Sequence, residues 1–443
     1  MIRTAPMISP IMHRIDAFVH FFFVPYRIVW DQWEDFITGQ EEITVPYKSV
    51  QLERFEEGSL WDYFGMPTHV QEETGSKTVN TLNFRAYCKI WNEFYRDQDL
   101  QDEIDISDDN NIPNSPLKRA WEKDYFTSAR PWAQKGDEAT LPIQHNVEYY
   151  DGPAMKYISS GEIASSQAVN TNVLGQLSTQ TSGGSAMRLE NIEDIEASIS
   201  INELREATAI QRWLEKNARA GNRYIETILA HFGIMSDDAR LQRPEYLGGG
   251  RSPVQISDVV NTMGYDSNEA NALPQGNLSG YSLSYGKTNK ATCYAKEHGV
   301  IIGLLSVLPR TSYFKGFPRE YQRRVKFDYY WPEFANLGEQ EILNQEIFLT
   351  NELGTNEGTF GYQSRYAEYR YQPSTVHGQF KSTMKHWHLA RDFASLPSLN
   401  ANFIQSTPSD RVFAVDEPHY LWVSAYNKVL AKRPMPKYNT PRL

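Results

Sequence analysis

Only two cysteines occur in 443 residues, Cys88 and Cys293, far apart in the chain. A disulfide framework and a cysteine-ligated zinc site are therefore excluded, and two buried, reduced thiols are expected. Long hydrophobic runs are also missing. The longest strongly apolar stretch, GVIIGLLSVLP at 299–309, is too short to cross a bilayer and carries two glycines. No membrane insertion is expected. The aromatic opening FVHFFFVPYRIVWDQWEDF at 18–36 is interrupted by Pro25 and Arg27 and has no small-residue cleavage pattern, so it does not read as a signal peptide. The expected setting is a reducing cytoplasm or an assembly built there. Positive charge is in deficit, with 44 Lys plus Arg against 55 Asp plus Glu and a formal net charge of −11. That excludes nucleic-acid binding through the overall field but leaves room for a local basic patch.

Catalytic and ligand motifs are scarce as well. SYGKTNK (284–290) contains Gly-Lys-Thr, but the position five before Gly286 is Tyr281 and no helix obviously follows, so a polar turn is the better reading. His386-Trp387-His388 offers two imidazoles without a third ligand at a convincing spacing, which favours surface or interface histidines over zinc. DEIDISDDNN (102–111) lacks the Gly and closing Glu of a calcium loop and reads as a solvated acidic loop. LGGGRSP (247–253) reads as a loop, because Pro253 leads into a β-like run rather than a helix N-terminus. Among 55 acidic residues no carboxylate pair is singled out for glycoside hydrolysis. There is no nucleophile elbow and no HExxH. No enzyme, cofactor or metal is expected.

What the chain has in quantity is aromatic residues, 13%, with 23 Pro and 27 Gly spread along it. Aromatics suit pleated, half-buried surfaces, and the Pro and Gly suit many turns. Ile15, Ala17, Val19, Phe21 and Phe23 share one parity and predict a strand that Pro25 ends, with Phe21 and Phe23 toward the core. Phe18 and Phe22 break the polar side. They, with Trp30 and Trp33 beyond Pro25, are expected to be covered by an insertion or a neighbouring subunit. Val29, Trp33, Phe36 and Ile37 fall at helical spacing before Gly39, and 83–98 also reads as helical. Residues 141–200 are charge-poor and weakly patterned, an extended loop or surface insertion. A possible capping box, Ser200 and Glu203, opens a helix, followed by a second that ends at Gly233. From about 254 the runs VQISDVV, ATCYAKEHGVIIGLLSVLP, RRVKFDYYW, AEYRYQPSTV and DRVFAVDEPHYLWVSAY read as strands. The order suggests a β-sandwich whose loops have grown large.

The C-terminal KVLAKRPMPKYNTPRL (428–443) stands out in an acidic chain. Lys428, Lys432, Arg433, Lys437 and Arg442 face no acidic residue, and three prolines favour an extended arm. Such an arm can reach phosphates, and Tyr438 can stack on an unpaired base; a solvated basic tail is the equal alternative.

Several blocks, in order from end to end, resemble the major capsid proteins of the Microviridae, especially the gokushovirus-like group. They are APMISPIMHRIDAFVHFFFVPYRIVWDQWEDFITG at the start, PLKRAWEKDYFTSARPWAQKG (116–136), LREATAIQRWLEKNARAGNRYIETILAHFGIMSDDARLQRPEYLGG (204–249), DYYWPEFANLGEQEI (328–342), RYAEYRYQPSTVHGQF (365–380) and KRPMPKY (432–438). The resemblance implies a mainly β fold, a single eight-stranded antiparallel jelly roll spanning 1–443. Residues of about 100–250 would be a large interstrand insertion, with helices near 200–233 and a variable, surface-protruding part near 140–200. It implies a structural protein of a bacteriophage virion that self-assembles, through pentameric intermediates, into a small T=1 icosahedral shell around circular single-stranded DNA. The implied partners are other copies of itself, the packaged DNA, a small basic DNA-binding virion protein and a host surface receptor. Family members usually carry a further segment before the block that here begins at Ile2-Arg3-Thr4-Ala5-Pro6, so a first strand is expected to be missing or its role filled otherwise. A β-sandwich carbohydrate-binding protein or glycosidase, or a viral spike or receptor-binding protein, is the alternative that residue composition leaves open.

Overall fold

The computed structural model describes residues 1–39, 43–68, 75–136, 158–159, 162–163, 169–171, 177–179, 201–221, 223–262, 276–287, 289–416 and 419–433. The chain divides into two compact units, Met1–Lys135 with Glu215–Leu443, and Gly136–Leu214. Most of the 141–200 expectation, and Ser200 of the proposed capping box, lie outside the described residues. Within them the second unit contains the hairpin strands Ile158–Ser159 with Glu162–Ile163 and Val169–Thr171 with Leu177–Thr179.

The first unit is built on antiparallel strands: β1 (Ile2–Thr4), β2 (Ile15–Pro25), β3 (Glu245–Pro253), β4 (Ile256–Val260), β5 (Leu278–Ser284), β6 (Gly299–Pro309) and β7 (Leu421–Val423). A four-stranded sheet has the order β4-β5-β1-β7, and a three-stranded sheet the order β6-β2-β3. The connections β1 to β2, β3 to β4 and β5 to β6 each pass from one sheet to the other. That alternation is how an antiparallel sandwich covers both inner faces. The protein is sheet-rich with a few helices, as composition predicts.

The strand at 15–25 is the centre of the three-stranded sheet, paired along its length by β6 and β3. Packed groups also cover its second face, which is why its polar parity carries Phe18 and Phe22. Ile15 and Ala17 pack with Ile2, Met7, Ile11, Val254 and Val412. The opposite face carries Phe22 and Val24 into the largest core, beneath α1 (Leu82–Ile90) and the turn Trp91–Tyr95. Phe23 is buried as expected, but Phe21 is only half-buried while Phe22 is 1% exposed. The deeper face is therefore the one that alternation alone ranks second. Packing against an aromatic insertion outweighs it.

LGGGRSP is a strand, not a loop. Gly248, at φ 116°, sits at a bulge opposite the Phe21–Phe22 step. A Cβ on Gly249 would lie 2.2 Å from the Val19 carbonyl oxygen. The glycines let β3 twist and close against β2.

The helical pair is present as α2 (Ile201–Ala220) and α3 (Tyr224–Phe232). Gly221 at φ 106° breaks the first and Gly233 at φ 69° ends the second. The helix before Gly39 is Trp33–Thr38. RRVKFDYYW differs from expectation: it folds with one 3-10 turn, Lys326–Asp328, and a second, Pro332–Phe334, follows directly. Among the described residues of AEYRYQPSTV and DRVFAVDEPHYLWVSAY only Ser374–Thr375 and β7 are strand, and ATCYAKEH carries none. Cys88 is buried, and burial pushes its thiol up to about 12, while Cys293 is half-buried.

Candidate assembly and nucleic-acid surfaces

The segment 319–334 forms a fixed aromatic ledge. The Asp328 carboxylate accepts the backbone N–H groups of Val325 at 2.9 Å and Arg324 at 2.7 Å, and these bonds hold its carboxyl below the usual range. Trp331 Nε1 donates to the Lys326 carbonyl at 2.8 Å. Arg323 pairs with Glu368 at 3.4 Å and lies 4.2 Å over the Tyr369 ring. Below, Glu346 accepts from Tyr125 Oη, Arg319 Nη1 and the Leu343 N–H, each at 2.9 Å. Burial raises the Glu346 carboxyl's pKa, and the Arg319 guanidinium opposes that rise. With polar groups anchored beneath, Val325, Phe327, Tyr329, Tyr330 and Trp331 remain exposed. A rigid apolar patch of this kind suits a partner protein surface.

A second set of exposed apolar residues lies on α3 and just beyond it: Tyr224 at its start, Phe232 at its end, then Ile234 and Met235. The outer strands β4 and β7 add Val259, Val260, Leu421, Trp422 and Val423. Exposed edges with apolar side chains invite further strand or loop pairing.

Of the aromatic residues singled out in the sequence, Phe22 packs against Phe94, Tyr246 and Tyr95, with ring centroids 4.7, 5.5 and 6.1 Å away. Phe18 joins Trp121 and Leu308, between the guanidiniums of Arg119 at 5.0 Å and Arg251 at 5.3 Å. Trp30 and Trp33 are half-buried and pack at tilted angles in a cluster with Tyr26, Phe36 and His298. Lys428, Lys432 and Arg433 lie on an extended, fully exposed stretch beside Val429 and Leu430. Lys437, Tyr438 and Arg442 lie outside the described residues.

His388 of the His-Trp-His motif is buried rather than displayed. Its Nε2 donates to the Phe380 carbonyl at 2.7 Å, and its Nδ1 accepts the Ala390 N–H at 3.1 Å. No group of three His, Cys, Asp or Glu able to hold a metal occurs among the described residues. No helix among them is long and apolar enough to cross a membrane.

Burial holds the imidazoles of His388, His13 and His20 below their ordinary value of 6.5. At His388 the bond to the Phe380 carbonyl and the Asp392 charge oppose burial, while Arg411 and Lys385 add to it. Each imidazolium is thus harder to form in the folded chain than in the unfolded one. Below about pH 6.5 the unfolded chain binds more protons, so this stability is full above that pH and is lost as pH falls through the lowered values. Thermal melts are expected to show a midpoint that drops between pH 7.5 and 5.5. A midpoint that rises over that interval would contradict the burial of these rings.

A sheet-rich scaffold with exposed apolar patches fits a structural protein that packs against other protein surfaces. The chain belongs to the capsid protein (F protein) family, whose model matches residues 1–443. It is 35% identical to capsid protein VP1 of Chlamydia phage 1, with 100% of this chain and 89% of that protein covered. It is 36% identical to capsid protein VP1 of Bdellovibrio phage phiMH2K, covering 99% and 87%. It is 30% identical to capsid protein VP1 of Spiroplasma virus 4, covering 100% and 88%. These are gokushoviruses of the Microviridae, so the resemblance read from the sequence blocks holds, and the chain is a structural major capsid protein. The family and the relatives' names indicate a structural rather than a catalytic role and a place in the virion capsid. The carbohydrate-binding, glycosidase and spike readings gain no support.

Proposed function

We propose that copies of this chain close, through pentameric intermediates, into a small T=1 icosahedral shell around the circular single-stranded DNA of a bacteriophage, assembled in the host cytoplasm. In this reading residues 1–443 are one eight-stranded jelly roll, and about 100–250 is its large insertion, with the part near 140–200 protruding at the surface. A host surface receptor is met from outside, and Phe18, Phe22, Trp30 and Trp33 back the insertion or a neighbouring subunit. The observation that carries the reading is the set of rigid apolar patches on 319–334, α3, β4 and β7. Shell energy comes from burying such area between copies. Expressed chain is expected to sediment as closed particles or pentamers, visible by electron microscopy. A stable monomer that retains or hydrolyses glycans overturns the reading.

A net charge of −11 opposes DNA packaging by the shell alone. A small basic virion protein and the C-terminal arm offset it locally. Neutralising Lys432, Arg433 and Lys437 is expected to lower DNA retention with an unchanged melting midpoint. For every phosphate that loses its basic partner, the salt slope should fall by about 0.7. Unchanged packaging at low and moderate salt would reduce the arm to a subunit contact.

A further inference from the structure

An open cleft of about 520 Å³ lies beside the end of the β2–β6 pair, lined among others by Arg14, Arg310, Ser312, His377, Phe380 and Trp387. Its size falls within the range of small-molecule sites. No Asp or Glu is among its lining residues, in a chain of net charge −11.

Two features of the lining are unfavourable as they stand. The backbones of Arg14 and Arg310 lie opposite each other one step beyond the Ile15–Pro309 pair, with the Arg310 N–H donating to the Arg14 carbonyl at 2.9 Å. Like charges directly across a ladder repel. The nearby carboxylates only partly relieve this. Asp16 pairs with Arg14 at 3.0 Å and also with Arg251, while Glu122 lies 3.6 Å from Arg251 and 3.9 Å from Arg310. Three guanidiniums thus share two carboxylates. The second feature is Ser312, 2% exposed, whose hydroxyl has no hydrogen-bond partner among the described residues. A buried hydroxyl without a partner costs free energy that a ligand oxygen would recover.

The remaining walls supply flat apolar surface. Phe380 and Trp387 are half-buried in the cleft, and exposed His377 sits at its rim, 2.8 Å from Thr375 Oγ1. His13 is fixed by its bond to the Arg310 carbonyl at 2.6 Å, and His388 by its two backbone bonds, so both serve as walls. Paired guanidiniums and a hydroxyl beside an aromatic wall match a phosphate with its base attached.

We propose that this cleft seats one nucleotide of a packaged single strand, with its phosphate on Arg14, Arg310 and Ser312 and its base against Trp387 and Phe380. The proposal rests on the packaging reading above and assigns it a second contact point besides the arm. Because a single strand exposes its bases, it can fill both halves of the cleft, whereas a duplex presents phosphate alone.

The test uses the full chain and a fluorescently labelled ten-nucleotide oligothymidylate, followed by anisotropy over a range of salt. R14Q/R310Q is expected to weaken binding at least tenfold and to lower the salt slope by about 0.7, the one phosphate that the two guanidiniums share. R14K/R310K should recover much of the deficit. His377→Glu, at an exposed rim position that does not threaten folding, should also weaken binding, and an abasic oligomer should bind less tightly than the oligothymidylate. Wild-type binding by R14Q/R310Q and by His377→Glu, with weakened binding in a variant lacking Lys428, Lys432 and Arg433 charge, overturns the cleft and leaves the packaging reading standing. Failure of the unaltered chain to bind the oligomer at all removes both. Equal competition by inorganic phosphate and by the oligomer reduces the cleft to an anion site and overturns the nucleotide assignment.

Discussion

Phe22→Ala is expected to destabilise the folded chain by about 3–5 kcal/mol, the range for deleting a fully buried aromatic ring. Phe22 occupies the middle of the central strand β2, directly opposite Ile302 of β6 and Tyr246 of β3. Its ring meets Phe94 and Tyr246 closely, and Phe94 is itself held under the Arg243 guanidinium at 4.5 Å. Ile302, Tyr95 and Val24 are buried in the same core, so the ring's removal opens a cavity inside it. Phe21→Ala, on the half-buried face one residue earlier, should cost less than half as much. Urea unfolding of the two variants checks both numbers. A smaller loss of stability at position 22 than at 21 would reverse the assignment of the deeper face.

Gly249→Ala is expected to be nearly as damaging, at about 3 kcal/mol, the upper end of the overpacking range. The added methyl would meet the Val19 carbonyl oxygen at 2.2 Å, and that atom belongs to a backbone paired on both sides. Relief requires β3 to move away from β2, which also disturbs the Arg251 contact with Asp16. Gly248→Ala gives the contrast. There the space is open but φ is 116°, so the cost is backbone strain alone, about 1–3 kcal/mol. Soluble yield and melting midpoint of the two variants should rank in that order. Equal tolerance at 249 would mean that the β2–β3 register is looser than described.

The failures of sequence reading have particular causes. Period-2 alternation located β2, and a continuous apolar run located β6, because each is a long strand in a sheet. The same alternation over 323–331 misled. There the Asp328 carboxylate takes two backbone N–H groups that a ladder would need, and Pro332 follows without one. At 247–253 the error runs the other way, since glycines that usually mark loops serve a bulge and a close strand approach. Parity along β2 could not rank its two faces, because the covering aromatics come from 84–95, some sixty residues and more away. The cleft residues come from four separated stretches, 12–14, 310–312, 374–380 and 387–388, so no spacing announces them. Family identity was legible because its blocks are long and run in order, even where local structure was misread.

One pairing sets a clock on biosynthesis. β1 hydrogen-bonds to β7, Ile2 opposite Val423, and the Met1 amino group donates to the Ser424 carbonyl at 2.9 Å. Once made, β1 therefore waits for a strand that starts at Leu421. At about 5–20 residues per second the delay is roughly 20–80 s. During that interval the open edge of β1 is a hazard for wrong pairing, including with nascent chains on the same message. A factor that shields that edge during translation, or slower growth at lower temperature, should raise the yield of assembly-competent subunits more than any change that merely strengthens the finished fold.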